Sequence, residues 1–122
     1  TGKITNTFGE TDLQHVQAVN SDKNHLAILI SYSGCTKEII DVAEILREKE
    51  IDTVSVTKYG NNELVKKCKY NLFVTSHESL QRSGATYSRI SMLNLIDVIY
   101  FTYSNKNYDY VAERIIKTKI KK

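Results

Sequence analysis

The chain has 122 residues, 41% of them hydrophobic, and a formal net charge of +3. That is enough for one domain with a modest core and too little for two. No apolar run approaches the roughly 18 residues of a membrane span, and no basic-then-apolar leader opens the sequence.

The elements follow one another through short polar loops, with no Pro anywhere. Residues 3–8 (Lys-Ile-Thr-Asn-Thr-Phe) alternate weakly and predict a short edge strand. Residues 11–19 predict a helical turn or two, with Thr11 or Asp12 as N-cap and Leu13, Val16 and Val19 as the apolar side. The continuous apolar run 26–31 reads as a parallel strand covered on both faces. Helical period returns over 36–49, with Thr36 as N-cap and Ile39, Ile40, Ala43, Ile45 and Leu46 inward.

Residues 53–57 (Thr-Val-Ser-Val-Thr) predict a second strand of β-branched residues. Tyr59-Gly60-Asn61-Asn62 is a turn, and Asn61 or Asn62 can cap a short helix at 63–68. A third strand follows at 70–75 and a polar loop at 76–84. Residues 85–103 predict a long helix that is apolar almost all round, with Ile90, Met92, Leu93, Leu95, Ile96, Val98, Ile99, Tyr100 and Phe101. Such a helix needs cover from more than its own sheet. A dimer interface is the leading explanation, and burial under a last helix at 107–120 the alternative. Five of the last nine residues are Lys or Arg, read as the solvated face of that terminal helix rather than a nucleic-acid tail.

Alternating strands and helices from residue 26 onward imply an open α/β layer with a mostly parallel sheet and right-handed crossovers. Ligands in such sheets bind beyond the carboxyl ends of the strands. Loops 31–36, 57–62 and 75–84 all fall at that edge. The first reads Ser-Tyr-Ser-Gly-Cys-Thr and runs directly into a helix. Helix-start amides carry positive partial charge, Ser31, Ser33 and Thr36 add hydroxyl donors, and Gly34 lets backbone come close to a ligand. The loop is therefore a candidate phosphate cradle. Cys35 and Cys68 stand 33 residues apart, with no CxxC and no His at ligand spacing, so no metal site is expected. Two thiols without an export signal suggest a reducing, cytoplasmic setting.

The string Ile-Ser-Tyr-Ser-Gly-Cys-Thr-Lys-Glu from residue 30, followed by Thr57-Lys58-Tyr59-Gly60-Asn61-Asn62-Glu63-Leu64, resembles the sugar isomerase (SIS) domain. Residues 82–97, opening Arg-Ser-Gly-Ala, look like the start of the long helix in the C-terminal effector domain of RpiR-type transcriptional regulators. The resemblance covers roughly residues 8–103. It implies a flavodoxin-like αβα sandwich of three layers over a mostly parallel sheet, with residues 1–122 as a single domain. The family's usual first strand, Gly/Ser-rich loop and helix have no counterpart in residues 1–25. In the family that strand lies between the second strand and the one at 26–31.

Function follows the resemblance as an expectation. It implies a sugar phosphate held by Ser31, Tyr32, Ser33, Gly34 and Thr36, with Arg82 and Ser83 as further contacts. Arg89 and Ser88 are weaker contact candidates. DNA binding would need a separate helix-turn-helix domain that these residues do not contain, and no cofactor is implied. The leading expectation is a non-catalytic phosphosugar sensor that dimerises through helix 85–103. The first alternative is a phosphosugar aldose–ketose isomerase, for which His77 and Glu78 are the weak catalytic candidates. The second is a dimerisation module with an incomplete site.

Overall fold

The computed structural model describes residues 2–75 and 84–119. The element order is α1 (Thr11–Asn20), β1 (Leu26–Ile30), α2 (Lys37–Glu48), β2 (Asp52–Lys58), α3 (Glu63–Lys67), β3 (Tyr70–Val74), α4 (Gly84–Lys106) and α5 (Tyr108–Thr118). The chain divides into two compact units. One is Phe8–Met92. The other gathers the residues before it with those from Leu93 onward.

In the first unit the three strands form a parallel sheet in the order β1-β2-β3. Parallel neighbours need a crossover between them. Here α2 links β1 to β2, and α3 links β2 to β3. Ala27 and Leu29 pair with Thr53 and Ser55, so these four residues share one sheet face. The core lies on that face. Leu29 packs with Ala18 of α1, Val42, Ala43 and Leu46 of α2, then Ile51, Leu64 and Cys68. Of the residues expected inward on the second helix, Ala43 and Leu46 are buried and Ile39 and Ile45 pack half-buried against the cluster, Val42 joins them, and Ile40 lies outside it.

Polar residues on β2 are also buried on this side, and each hydroxyl has a partner, as burial demands. Thr53 Oγ1 accepts from the Lys69 amide at 3.1 Å, and Ser55 donates to Asn71 Oδ1 at 2.6 Å. At the end of α2, Glu50 takes a left-handed φ of 55°, and Ile51 N–H reaches back to Leu46 C=O at 3.0 Å. That closure turns the chain sharply into β2.

Four expectations need correction. Residues 2–9 contain no strand: Ile4 is 96% exposed, and a segment with so few apolar side chains finds no ladder to join. The N-cap of α1 is Glu10, without a side-chain cap bond, instead of Thr11 or Asp12. Its Leu13, Val16 and Val19 point outward, each about half exposed, and the residue it buries is Ala18. A small side chain there lets α1 approach the core closely. Finally, β1 is not covered on both faces. It is an edge strand, and Leu26, Ile28 and Ile30 remain exposed on the face opposite the core.

In the second unit, residues 2–7 approach α5. A Cβ on Gly2 would lie 2.7 Å from the Tyr110 hydroxyl, and the Arg114 guanidinium sits over the Tyr110 ring at 5.3 Å. Val111 is the buried residue of α5. Along α4, Leu95, Ile99 and Tyr103 are half-buried at helical spacing, while the residues between them are exposed. Of the α4 residues in this unit, Leu93, Val98 and Phe101 remain more than half exposed.

Ion pairs tie the surface of the first unit together. Lys67 of α3 donates to Glu44 of α2, and Lys23 to Glu50. The Lys67 bond holds the Glu44 carboxyl below its ordinary value of 4.5, and Lys23 does the same for Glu50. The Asn24 amide, then His25, lowers Asp22. The folded chain thus binds these protons more weakly than the unfolded chain. The stabilisation is present above the ordinary carboxylate value and is lost as pH falls through the lowered ones. Glu44→Gln should flatten the acid limb of a plot of thermal midpoint against pH, leaving the neutral region little changed because exposed pairs contribute little. An unaltered acid limb would contradict the assignment.

Candidate functional site

The parallel ladder does not end with β1. Beyond Ile30, the Ser31 amide donates to Val56 C=O at 3.1 Å, and the Lys58 amide donates to Tyr32 C=O at 2.9 Å. The first two residues of the loop are therefore fastened to the central strand. The chain then turns: Gly34 N–H donates to Ser31 C=O at 3.0 Å, with Gly34 at a φ of +66°. Glycine adopts that left-handed conformation without the cost other residues meet.

The three hydroxyls of the loop have different environments. Ser31 is buried, 6% exposed, and its Oγ lies 2.8 Å from Thr36 Oγ1. Thr36 occupies the N-cap position of α2, as its sequence context suggests, but makes no side-chain cap bond. Its hydroxyl is engaged with Ser31 instead. The first-turn amides of α2 are consequently not capped by Thr36. Ser33 is exposed, and its Oγ accepts from the Cys35 amide at 3.2 Å. Its proton has no acceptor among the described residues. Serine at this point thus offers a hydroxyl donor to solvent beside a helix start, an arrangement suited to an anion.

A second turn packs against the first. The Leu64 amide donates to Gly34 C=O at 3.0 Å. Asn62 caps α3 by accepting from the Val65 amide at 3.1 Å, as the sequence suggests for Asn61 or Asn62. Its Nδ2 donates to Thr57 Oγ1 at 3.1 Å, and Thr57 in turn donates to Lys58 C=O at 3.0 Å. Thr57 is fully buried. A Cβ on Gly34 would fall 2.1 Å from Asn62 Oδ1. Glycine at 34 is thus required twice, by its φ and by this neighbour.

The structure brings Ser31, Tyr32, Ser33, Gly34 and Thr36 together at the carboxyl edge of the sheet. Thr57 and Asn62 belong to the same cluster. Sequence reasoning assigned Asn62 a capping role only, although its position in the next loop of the same sheet edge could have marked it. His77, Glu78, Arg82 and Ser83 lie outside the described residues. Arg89 is on α4 and exposed. Among the described residues no group of three His, Cys, Asp or Glu side chains could hold a metal ion. Both cysteines are free, and burial pushes the Cys68 thiol up. No helix of the described residues is long and apolar enough to cross a membrane.

Comparison with known proteins adds to this geometry. Residues 1–102 match the SIS domain family. An uncharacterized HTH-type transcriptional regulator of Caldanaerobacter subterraneus is 40% identical over 111 residues, covering 91% of this chain and 39% of the relative. The HTH-type regulator YbbH of Bacillus subtilis is 32% identical over 118 residues, covering 96% of this chain and 42% of its own length. The chain thus spans about two-fifths of these curated relatives. Among solved structures, the NanR protein of Vibrio vulnificus complexed with ManNAc-6P superposes with a TM-score of 0.80 at 27% identity. The match covers 98% of this chain and 48% of NanR.

Gly34→Ala should lower the stability of the chain by about 1–3 kcal/mol, combining the left-handed backbone penalty with the collision at Asn62. Denaturant unfolding measures it, and a change under about 0.5 kcal/mol would show that the two turns do not press on each other.

Proposed function

The chain belongs to the SIS domain family, and from that premise we propose that it is the phosphosugar-sensing domain of an HTH-type transcriptional regulator. One observation carries the reading. The loop 31–36 is held rigidly to β2 and ends in an uncapped helix start beside an open Ser33 hydroxyl. A phosphate placed there would accept from Ser33 and from the first-turn amides of α2, with the Ser31–Thr36 pair as the floor beneath it. Tyr32 and Gly34 complete the loop, and Arg82 and Ser83 are assigned to the same ligand. The likeness to NanR, whose structure holds ManNAc-6P, favours an amino-sugar or hexose phosphate.

A sensor needs no acid or base at the sugar carbons, whereas an aldose–ketose isomerase does. The candidates the sequence offers for that chemistry are His77 and Glu78. The regulator relatives support sensing over turnover. Signal output would run through a homodimer formed along α4, whose exposed Leu93 and Phe101 want a partner, to a DNA-binding domain elsewhere in the protein. The whole assembly would work in the cytoplasm.

Hexose and amino-sugar phosphates, ManNAc-6P included, should raise the thermal midpoint of the chain. Ser33→Ala should weaken the best of them by about 1–3 kcal/mol, roughly 5- to 150-fold, because the lost donor faces a charged oxygen. No shift from any member of the panel would count against sensing, and aldose–ketose exchange seen by NMR would replace it with catalysis. Leu93→Lys should move the chain toward monomer in sedimentation. A sedimentation profile identical to that of the unaltered chain would place the dimer contact elsewhere.

A further inference from the structure

We propose that Asn62 is the positioning residue of the phosphate loop: it sets the path of residues 33–35 without touching the ligand. The proposal rests on the reading of loop 31–36 as the sugar-phosphate cradle. Its ground is the chain of contacts around one side chain. Asn62 Oδ1 holds the Val65 amide and so fixes the start of α3. That start includes the Leu64 amide, which grips Gly34 C=O. Asn62 Nδ2 holds Thr57, at the end of the central strand, so the amide plane is fixed at both ends. The same plane occupies the space where any Cβ at position 34 would stand.

Asn62 is thus a wall against which the turn at Gly34 is folded. The turn dictates where Ser33 Oγ and the Cys35 amide meet, at 3.2 Å, and hence where the open hydroxyl points. A hydroxyl donor misplaced by even part of an ångström forfeits much of a charge-assisted bond. Asn62 therefore governs affinity from beneath the loop. Serine at this position is the discriminating replacement. It can still cap α3, but it is too short to reach Thr57 and to fill the space beside Gly34.

The test uses the full chain and two variants. In the unliganded protein, Asn62→Ser should speed hydrogen exchange at the Gly34 and Leu64 amides about tenfold or more while the Val65 amide stays protected. With ManNAc-6P as the probe, its affinity should fall by a similar factor. Unaltered exchange at Gly34 and Leu64 overturns the proposal. A second arm asks whether residues 34 and 62 press on each other. Gly34→Ala should cost less stability in the Asn62→Ser background than alone, and equal cost in both, including loss of folding in both, overturns the proposal. If the unaltered chain does not bind ManNAc-6P, the sugar-phosphate reading suffers, yet the exchange and stability arms still decide the role of Asn62.

Discussion

The site depends on the β1–β2 ladder continuing past the last residue of β1. Ser31 donates into β2, and β2 donates back to Tyr32 from Lys58. Two hydrogen bonds thus extend a rigid sheet into what would otherwise be a free loop. Sheet amides so placed are shielded from fraying, because opening them would also open the end of the central strand. From that anchor the Gly34 turn, the Ser31–Thr36 hydroxyl pair and the beginning of α2 follow in order. The proposed phosphate cradle is in this sense the last rung of the sheet, with a helix attached to it.

Placing the loop on β2 also explains why buried polarity is tolerated beneath it. Thr53, Ser55 and Thr57 line the core side of the central strand, where Val or Ile would bury more apolar area. Each is satisfied, by Lys69 N–H, Asn71 and the Asn62–Lys58 pair respectively. The last of these connects strand to site. Hydroxyls on β2 fix the connections that leave it and return to it, so hydrophobic burial given up in the strand is exchanged for definition at its edge.

Much of this was readable from residues alone. Apolar runs and β-branched stretches located all three strands, and the period of residues 36–49 located α2 with its buried face. The hydroxyl loop before α2 was marked by residue types that favour helix starts. What could not be read was relational. Thr36 has the chemistry of a cap, but whether its hydroxyl turns to α2 or to Ser31 depends on a partner five residues away. Leu13, Val16 and Val19 form a plausible apolar stripe, yet Ala18 wins the inward position because α1 lies close against its neighbours. Asn62 looks like an ordinary turn residue until Gly34 is seen against it. The openness of β1 on one face is a property of its place at the sheet edge, which a run of five apolar residues does not encode.

The two free thiols differ in a way that gives experimental access to the loop. Cys35 is exposed and sits between the open serine and the first turn of α2, while Cys68 is buried, and burial pushes its thiol up. Thiolates, not thiols, are the reactive species. A small maleimide dye should therefore label the native chain at Cys35 and leave Cys68 untouched. These 122 residues thus carry one exposed thiol, one residue from the Gly34 turn. Fluorescence from that point would follow occupancy of the cradle directly, and blockage of labelling by a bound anion would report the same event without any dye attached.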